Sequence, residues 1–253
     1  MNKLSFIGII PARYASSRFP GKPLAMIGDK PMIQRVYEQA KKVLADVYVA
    51  TDDSRIYDAV ESFGGKAVMT SDKHRSGTDR CYEAYCNVSS KADVVINIQG
   101  DEPFIHEEQI CEIMECFDDP ATQIATLARK FDPSQGFDAL NDCTKPKVVI
   151  DNNRNALYFS RSVIPFVRNA EKKDWPSETT FYMHVGMYAY KTSVLAEITK
   201  LPQSSLEIAE SLEQLRWLQN GYTIKTGLTD KPTIGIDTPD DLEKAVKYLS
   251  TKQ

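Results

Sequence analysis

Two hydrophobic periods alternate along the first half of the chain. Leu4 to Ile10 is a short, almost wholly apolar run, the pattern of a strand buried on both faces. Ile33, Val36, Tyr37, Ala40, Val43 and Leu44 then recur at helical spacing, with Asp29 as a candidate cap and Pro31 suited to a first turn. Val47–Ala50 reads as a second strand. A helix over Ile56–Phe63 follows and stops at Gly64-Gly65. A short strand at Ala67–Met69, a helix starting near Thr78 and the apolar run of residues 93–98 complete the series. Strand and helix in strict alternation predict an α/β fold, a mostly parallel sheet with helices on both faces.

The second half is patterned differently. Lys147–Ile150, the polar Asp151-Asn152-Asn153 and Ala156–Phe159 predict a hairpin. The charged stretch 168–180 predicts a mobile surface loop, and Val185–Tyr190 another strand. One helix is expected through Leu206, Ile208, Ala209, Leu212, Leu215 and Leu218. Short strands at Thr223–Lys225 and Ile234–Ile236 precede a last helix, capped near Thr238 or Asp240. These elements predict a single domain over residues 1–253, with an inserted middle lobe at about 130–200.

Chemistry enters where strands end, because ligands of open parallel sheets sit beyond the carboxyl ends of the strands. The first strand runs into Pro11-Ala12-Arg13-Tyr14-Ala15-Ser16-Ser17-Arg18-Phe19-Pro20-Gly21-Lys22-Pro23, and the fourth into Gln99-Gly100-Asp101-Glu102-Pro103. A basic loop and an acidic loop would share one crevice. That suits a nucleoside triphosphate, whose oxygens need cations and N–H groups and whose Mg²⁺ is held by one or two carboxylates. Asp101 is one candidate ligand, and Asp237 in Gly235-Ile236-Asp237-Thr238-Pro239 a second. The basic loop is not a phosphate loop of the Walker type, since Pro23 follows Gly21-Lys22 and the upstream glycine is missing. Taken alone, it reads equally as a solvated basic turn.

Composition narrows the classes. A formal net charge of -4 argues against a general affinity for nucleic acid, so any basic site is local. No apolar run approaches the roughly 20 residues that span a bilayer, and the amino terminus lacks a signal-peptide pattern, so no membrane association is expected and the cytoplasm is the expected compartment. The five cysteines are an odd number for a disulfide framework. The two pairs spaced five apart, Cys81/Cys86 and Cys111/Cys116, sit about 140° apart on a helix and do not chelate easily. All five are expected as reduced thiols in mostly part-buried positions.

An ordered set of motifs resembles the 3-deoxy-manno-octulosonate (KDO) cytidylyltransferase family. It comprises Ile9 to Leu24, Val49-Ala50-Thr51-Asp52, His74-Arg75-Ser76-Gly77-Thr78-Asp79-Arg80, Asn97 to Pro103, Ala156 to Arg161, His184 to Tyr190, Leu212 to Arg216 and Gly235 to Pro239. The opening motif marks sugar nucleotidyltransferases broadly; those from Tyr158 to Arg216 narrow it to the KDO enzymes. The resemblance implies a Rossmann-like fold of the nucleotide-diphospho-sugar transferase type, with sugar binding and dimerisation in the middle lobe. It implies that KDO attacks CTP to give CMP-KDO and pyrophosphate for lipopolysaccharide, with Mg²⁺ as cofactor in a homodimer.

Roles carry over by position. Arg13 and Lys22 would neutralise the triphosphate, with Ser17, Arg18 and the backbone at Gly21 assisting. Asp101 and Asp237 would hold magnesium. Arg75, Ser76, Gly77 and Thr78, with Asp79 nearby, would form the cytidine site, and Gln99 would lie between nucleotide and sugar. Arg161, His184, Tyr188, Glu213 and Gln214 would contact KDO. Phe19 and Asp79 depart from the family pattern, where leucine and glutamate are common. Each role has a plainer alternative. Arg161 could be a surface ion-pair residue, His184 structural, Tyr188 core, Glu213 and Gln214 water-facing, and Asp237 a helix cap. His74 and His106 have no partner readable from the sequence. Two other readings stay open: a related acidic sugar as acceptor (sialic acid or an amino-substituted KDO), and a nucleotide-binding protein without turnover.

Overall fold

Phe6–Ala12 forms strand β1, with Ile7, Ile9 and Ile10 buried, in the computed structural model, which describes residues 4–15 and 19–251. Ser17 and Arg18, expected to assist at the triphosphate, lie outside the described residues. In chain order there follow β2 (Met26–Ile27), β3 (Lys30–Pro31), α1 (Met32–Lys41), β4 (Asp46–Thr51), α2 (Ser54–Ser62), β5 (Ala67–Met69), α3 (Gly77–Asn87), β6 (Val94–Asn97), α4 (Glu107–Glu115), β7 (Ile124–Lys130), α5 (Gly136–Leu140), β8 (Lys147–Ile150) and β9 (Ala156–Ser160). The rest are α6 (Trp175–Glu178), β10 (Tyr182–Lys191), α7 (Thr192–Ile198), α8 (Ser205–Glu210), α9 (Gln214–Gln219), β11 (Ile224–Thr229) and α10 (Pro239–Ser250). None of the described helices is long and apolar enough to cross a membrane.

The chain divides into two compact units. The first comprises Met1–Cys111, Ala189–Thr199 and Thr233–Gln253. Its strands β6, β1, β4 and β5 are neighbours in that order, all parallel, as the alternation of strand and helix predicts. Ile9 is the hub of the register, opposite Tyr48 on one side and Asn97 on the other. Helix α1 buries Met32, Ile33, Val36, Tyr37 and Ala40, the expected stripe. Asp29 is not its cap. Asp29 lies in the turn between β2 and β3, beside Gly28 at φ 66°, and accepts a hydrogen bond from Arg35 Nη2 at 2.8 Å. Pro31 stands at the N-cap with no side-chain hydrogen bond.

Helix α10 is capped by Thr238, whose hydroxyl accepts from the Asp241 N–H while the Asp241 carboxylate accepts from the Thr238 N–H. Asp237 is therefore not a helix cap. The expected strand at Ile234–Ile236 does not form. Ile236 is instead buried with Ile27, Met32 and Ala245, and its N–H donates to Asp101 O at 3.0 Å.

The second unit comprises Glu112–Tyr188 and Lys200–Pro232. Strand β7 pairs parallel with β11, while the β8–β9 hairpin is antiparallel. Asp151 closes the hairpin turn by accepting from the Asn153 and Asn155 N–H groups, with Arg154 at φ 61°.

Two expectations fail in this unit for identifiable reasons. The stretch 168–180 is not a loose loop: it folds into short helical turns ending in α6. Trp175 is only 4% exposed, packs with Phe131, Leu140, Phe181 and Met183, and donates from Nε1 to Ala170 O. A buried tryptophan removes roughly 150–250 Å² of surface from water, enough to hold a charged segment down. The single helix expected through 206–218 is two, α8 and α9, broken at Ser211, which adopts φ 51° and ψ 48°.

Candidate active site

In the first unit, β1 ends at Ala12 and the basic loop begins. Its two described ends are tied by Gly21 N–H donating to Tyr14 O at 2.9 Å. Gly21 has φ 72° and its Cα lies against the Tyr14 ring, so a side chain there would be strained and crowded. The Arg55 guanidinium stacks 3.3 Å from the centroid of the same ring. Lys22 then starts a short 3-10 turn. Its ammonium lies 2.7 Å from Asp101 Oδ2 and 3.3 Å from Asp237 Oδ1. Lys22, Asp101 and Asp237, far apart in sequence, thus meet at one point.

Two backbone contacts place those carboxylates. The loop after β6 runs close under β1: a Cβ on Gly100 would stand 2.9 Å from Pro11 O, so glycine is required there. The Ile236–Asp101 hydrogen bond then pins the 231–237 segment to that loop. Burial, and then the charge of Asp101, push the neighbouring Glu102 carboxyl up to about 7. Two carboxylates converging on one cationic nitrogen are a hard-oxygen donor set that fits a divalent cation completed by phosphate oxygens and water. No group of three or more His, Cys, Asp or Glu that could hold a metal ion by itself is found among the described residues.

The cytidine candidates surround the start of α3. Ser76 is its N-cap, with Oγ accepting from the Asp79 N–H at 3.2 Å. Thr78 is buried, its hydroxyl 3.5 Å from that of Tyr190, so its side chain faces the core. Arg13 and Arg75 are exposed, and Arg13 Nη2 donates to Arg75 O at 3.4 Å. Gln99 is half-buried just past β6. His74, expected without a partner, pairs through Nε2 with Glu83, which also accepts from the Ser71 N–H. His106 lies 4.0 Å from Glu108.

The sugar candidates other than Gln99 belong to the second unit. Arg161 follows β9, and the break between α8 and α9 exists around it. Its Nε donates to Glu210 O at 2.6 Å, Nη2 to Ser211 O at 3.2 Å and Nη1 to Cys143 O at 3.0 Å. Carbonyls that a continuous helix would use internally are turned to the guanidinium. Three of its five N–H groups are engaged, leaving two for an anion. The Glu210 carboxylate accepts from the Arg161 N–H and the Ser160 hydroxyl. Lys147, fully buried, donates to Asp142 O, Lys145 O and Arg161 O; burial lowers its pKa, opposed by Asp142.

His184 packs edge-on against Phe159, ring centroids 5.0 Å apart, and against Tyr188 at 5.4 Å. Burial lowers its pKa to about 3, so the imidazole is neutral. Tyr188 is buried against Trp217; burial first, and then the Glu213 carboxylate, raise its hydroxyl well above the ordinary tyrosine range. Glu213 Oε1 accepts from Arg216 Nη2 at 3.4 Å, and Arg216 makes a two-point contact with buried Glu207 at 2.8 and 2.6 Å. Gln214 does not face water: it is buried, and its Nε2 has no hydrogen-bond partner among the described residues. A buried amide donor of this kind is costly unless a ligand completes it.

Comparison with known proteins decides the family. Residues 7–225 match the cytidylyltransferase family. A 3-deoxy-manno-octulosonate cytidylyltransferase of Phocaeicola vulgatus is 62% identical over 250 residues, 99% of each chain. One of Bacteroides thetaiotaomicron is 61% identical over 249 residues, 98% of this chain and 100% of the relative. The chain belongs to the 3-deoxy-manno-octulosonate cytidylyltransferases. The solved structure of a CMP:2-keto-3-deoxy-manno-octonic acid synthetase complexed with CTP covers 98% of this chain and 100% of its own, with TM-score 0.90 and 43% identity.

The basic loop and the Lys22–Asp101–Asp237 junction lie in the first unit, and the Arg161 socket in the second. Reading the sequence missed several residues that hold these parts. Glu207 and Glu210, not singled out in the sequence, anchor Arg216 and Arg161. Arg80, fully buried, lies 3.4 Å from Asp52 and donates to Thr70. Asn97, at the end of β6, is buried with Oδ1 lacking a partner among the described residues. A charged residue inside an otherwise apolar helix face was the available signal for Arg80; for Glu210 there was none.

Proposed function

We propose that the protein transfers the CMP moiety of CTP to the anomeric hydroxyl of KDO. The observation that carries this is the 62% identity with a named KDO cytidylyltransferase over 99% of the chain. A bond forms between the sugar oxygen and the α-phosphorus, the bond from that phosphorus to the bridging oxygen breaks, and pyrophosphate leaves with the electron pair while the hydroxyl proton is lost. Such a transfer needs positioning and charge neutralisation rather than a covalent protein intermediate.

Arg13 and Lys22 neutralise the triphosphate, with Gly21 letting backbone approach it. Ser17 and Arg18 belong to the same loop. Asp101 and Asp237 would hold Mg²⁺, which when bound supplies positive charge to the triphosphate oxygens. The convergence of both carboxylates on the Lys22 ammonium supports this assignment. Arg75 and the 76–78 backbone take the cytidine, and Gln99 contributes beside them. Arg161 pairs with the KDO carboxylate through its two remaining N–H groups. His184, Tyr188, Glu213 and Gln214 take the hydroxyls.

The product serves lipopolysaccharide assembly, and the protein works in the cytoplasm. Five free cysteines, two of them buried and three exposed, suit a reducing compartment. It acts as a homodimer through the 130–200 lobe, where Leu157 and Phe166 are 62% and 71% exposed.

Pyrophosphate release from CTP and Mg²⁺ tests the reading. KDO-dependent release is expected, with little or none when sialic acid or an amino-substituted KDO replaces it. Equal use of those acids would make this a cytidylyltransferase of broader specificity. Tight CTP binding without turnover on any 2-keto sugar acid would favour the non-catalytic alternative.

A further inference from the structure

Thr126 lies in the middle of β7, fully buried, where a valine would satisfy the strand equally well. Its hydroxyl instead meets four groups of β10, one of them the Tyr188 hydroxyl, which takes one of its two lone pairs. Thr126 Oγ1 stands 2.8 Å from Met187 O, 3.3 Å from Val185 O and 3.0 Å from His184 Nε2. A hydroxyl has one hydrogen and two lone pairs. Carbonyl oxygens only accept, so the hydrogen goes to Met187, the nearer of the two. Aimed at His184, it would leave two oxygens 2.8 Å apart with no hydrogen between them. Thr126 Oγ1 therefore accepts from His184, and Nε2 must carry the hydrogen.

We propose that Thr126 is a positioning residue of the sugar site: it holds His184 as the Nε2–H tautomer and so makes Nδ1 a fixed acceptor for a hydroxyl hydrogen of the sugar acid. The imidazole is neutral, because burial holds its pKa near 3, so a second N–H is not available. Phe159 and Tyr188 pack on the ring and restrict its rotation. An acceptor fixed in this way selects for a substituent that carries a hydrogen, and a deoxy or O-methyl sugar at the contacted position leaves Nδ1 unpaired. This rests on the sugar role of His184 proposed above.

The test joins spectroscopy to kinetics. The chain has three histidines, so ¹⁵N-histidine labelling with long-range ¹H–¹⁵N correlation resolves each ring, and His184→Gln assigns the signal. Wild-type His184 should show a protonated Nε2 and a bare Nδ1. Thr126→Val should lose that pattern and raise KM for KDO on the order of tenfold, as loss of one buried hydrogen bond does, with kcat and KM for CTP within about twofold. Thr126→Ser, which keeps the hydroxyl, should restore both signal and KM. A wild-type Nδ1–H signal, a Thr126→Val enzyme with unchanged KM, or a Thr126→Ser enzyme as impaired as Thr126→Val would overturn the role of Thr126. The supporting reading fails separately: unchanged KM for KDO in His184→Gln removes the sugar role whatever the tautomer.

Discussion

Lys22 stands where two roles compete. Its ammonium shares the carboxylates of Asp101 and Asp237, yet the role proposed for it is to neutralise the triphosphate. The lysine side chain is 15% exposed and the carboxylates 30% and 52%, so solvent screens these pairs and they contribute less than about 1 kcal/mol to stability. Asp101→Asn and Asp237→Asn should therefore each lower turnover by about 10²-fold or more with little change in melting temperature, as losing a charge-stabilising group does. Lys22→Ala should chiefly raise KM for CTP. Steady-state assays beside thermal melts check all three, and full activity in either aspartate variant removes that residue from the metal site. His184 gives a pH signature. Its folded pKa, about 3, lies below the ordinary 6.5, so the unfolded chain takes up a proton in this window and the folded protein does not. The stability it contributes is present above about pH 6.5 and is lost as pH falls towards 3. Urea unfolding at pH 7.5 and pH 5 should show wild type losing more stability than His184→Gln; equal losses would mean the ring is not held neutral.

Helix ends, more than helix faces, build the site. The capping box at Thr238 starts α10 and fixes the turn that carries Asp237. Thr238→Ala should cost about 1 kcal/mol of stability, the usual effect of losing an N-cap. It should also lower activity, because Asp237 loses its anchor; denaturant melts and pyrophosphate assays separate the two effects. The interruption at Ser211 works in the opposite sense. A left-handed residue ends α8 and frees the carbonyls of Glu210 and Ser211 for Arg161. Ser211→Ile, β-branched at φ 51°, should destabilise by about 1–2 kcal/mol and raise KM for KDO while sparing KM for CTP. A KM for KDO that stays at the wild-type value would separate the break from the sugar site.

At the scale of the whole molecule, the nucleotide and metal candidates and Gln99 lie in the first compact unit, and the other sugar candidates in the second. The second unit also exposes Phe166 and Leu157, apolar side chains that a second copy would cover. Sedimentation should find a dimer, and Phe166→Asp with Leu157→Asp should shift it to monomer. A monomeric wild type would remove the proposed interface.

The alternating elements from β1 to β6 were legible because each is a local pattern, whereas the strand expected at Ile234–Ile236 was not formed. A buried parallel strand is a contiguous apolar run, and an amphipathic helix repeats at 3.6 residues. The same holds for the β8–β9 hairpin, whose turn residues hydrogen-bond within five positions. Illegible were the contacts that join distant residues. Trp175 holds the 168–180 stretch only because Phe131 and Phe181 come to meet it. Where the 206–218 helix breaks, Arg161, some 50 positions away, takes the carbonyls of Glu210 and Ser211. By itself the sequence determined the α/β class and the family, since both reside in local order. Only the tertiary structure decided which carboxylates share Lys22, which donors of Arg161 remain open and which nitrogen of His184 carries its hydrogen. Those depend on distances and on competition for single hydrogen atoms, which no linear spacing encodes.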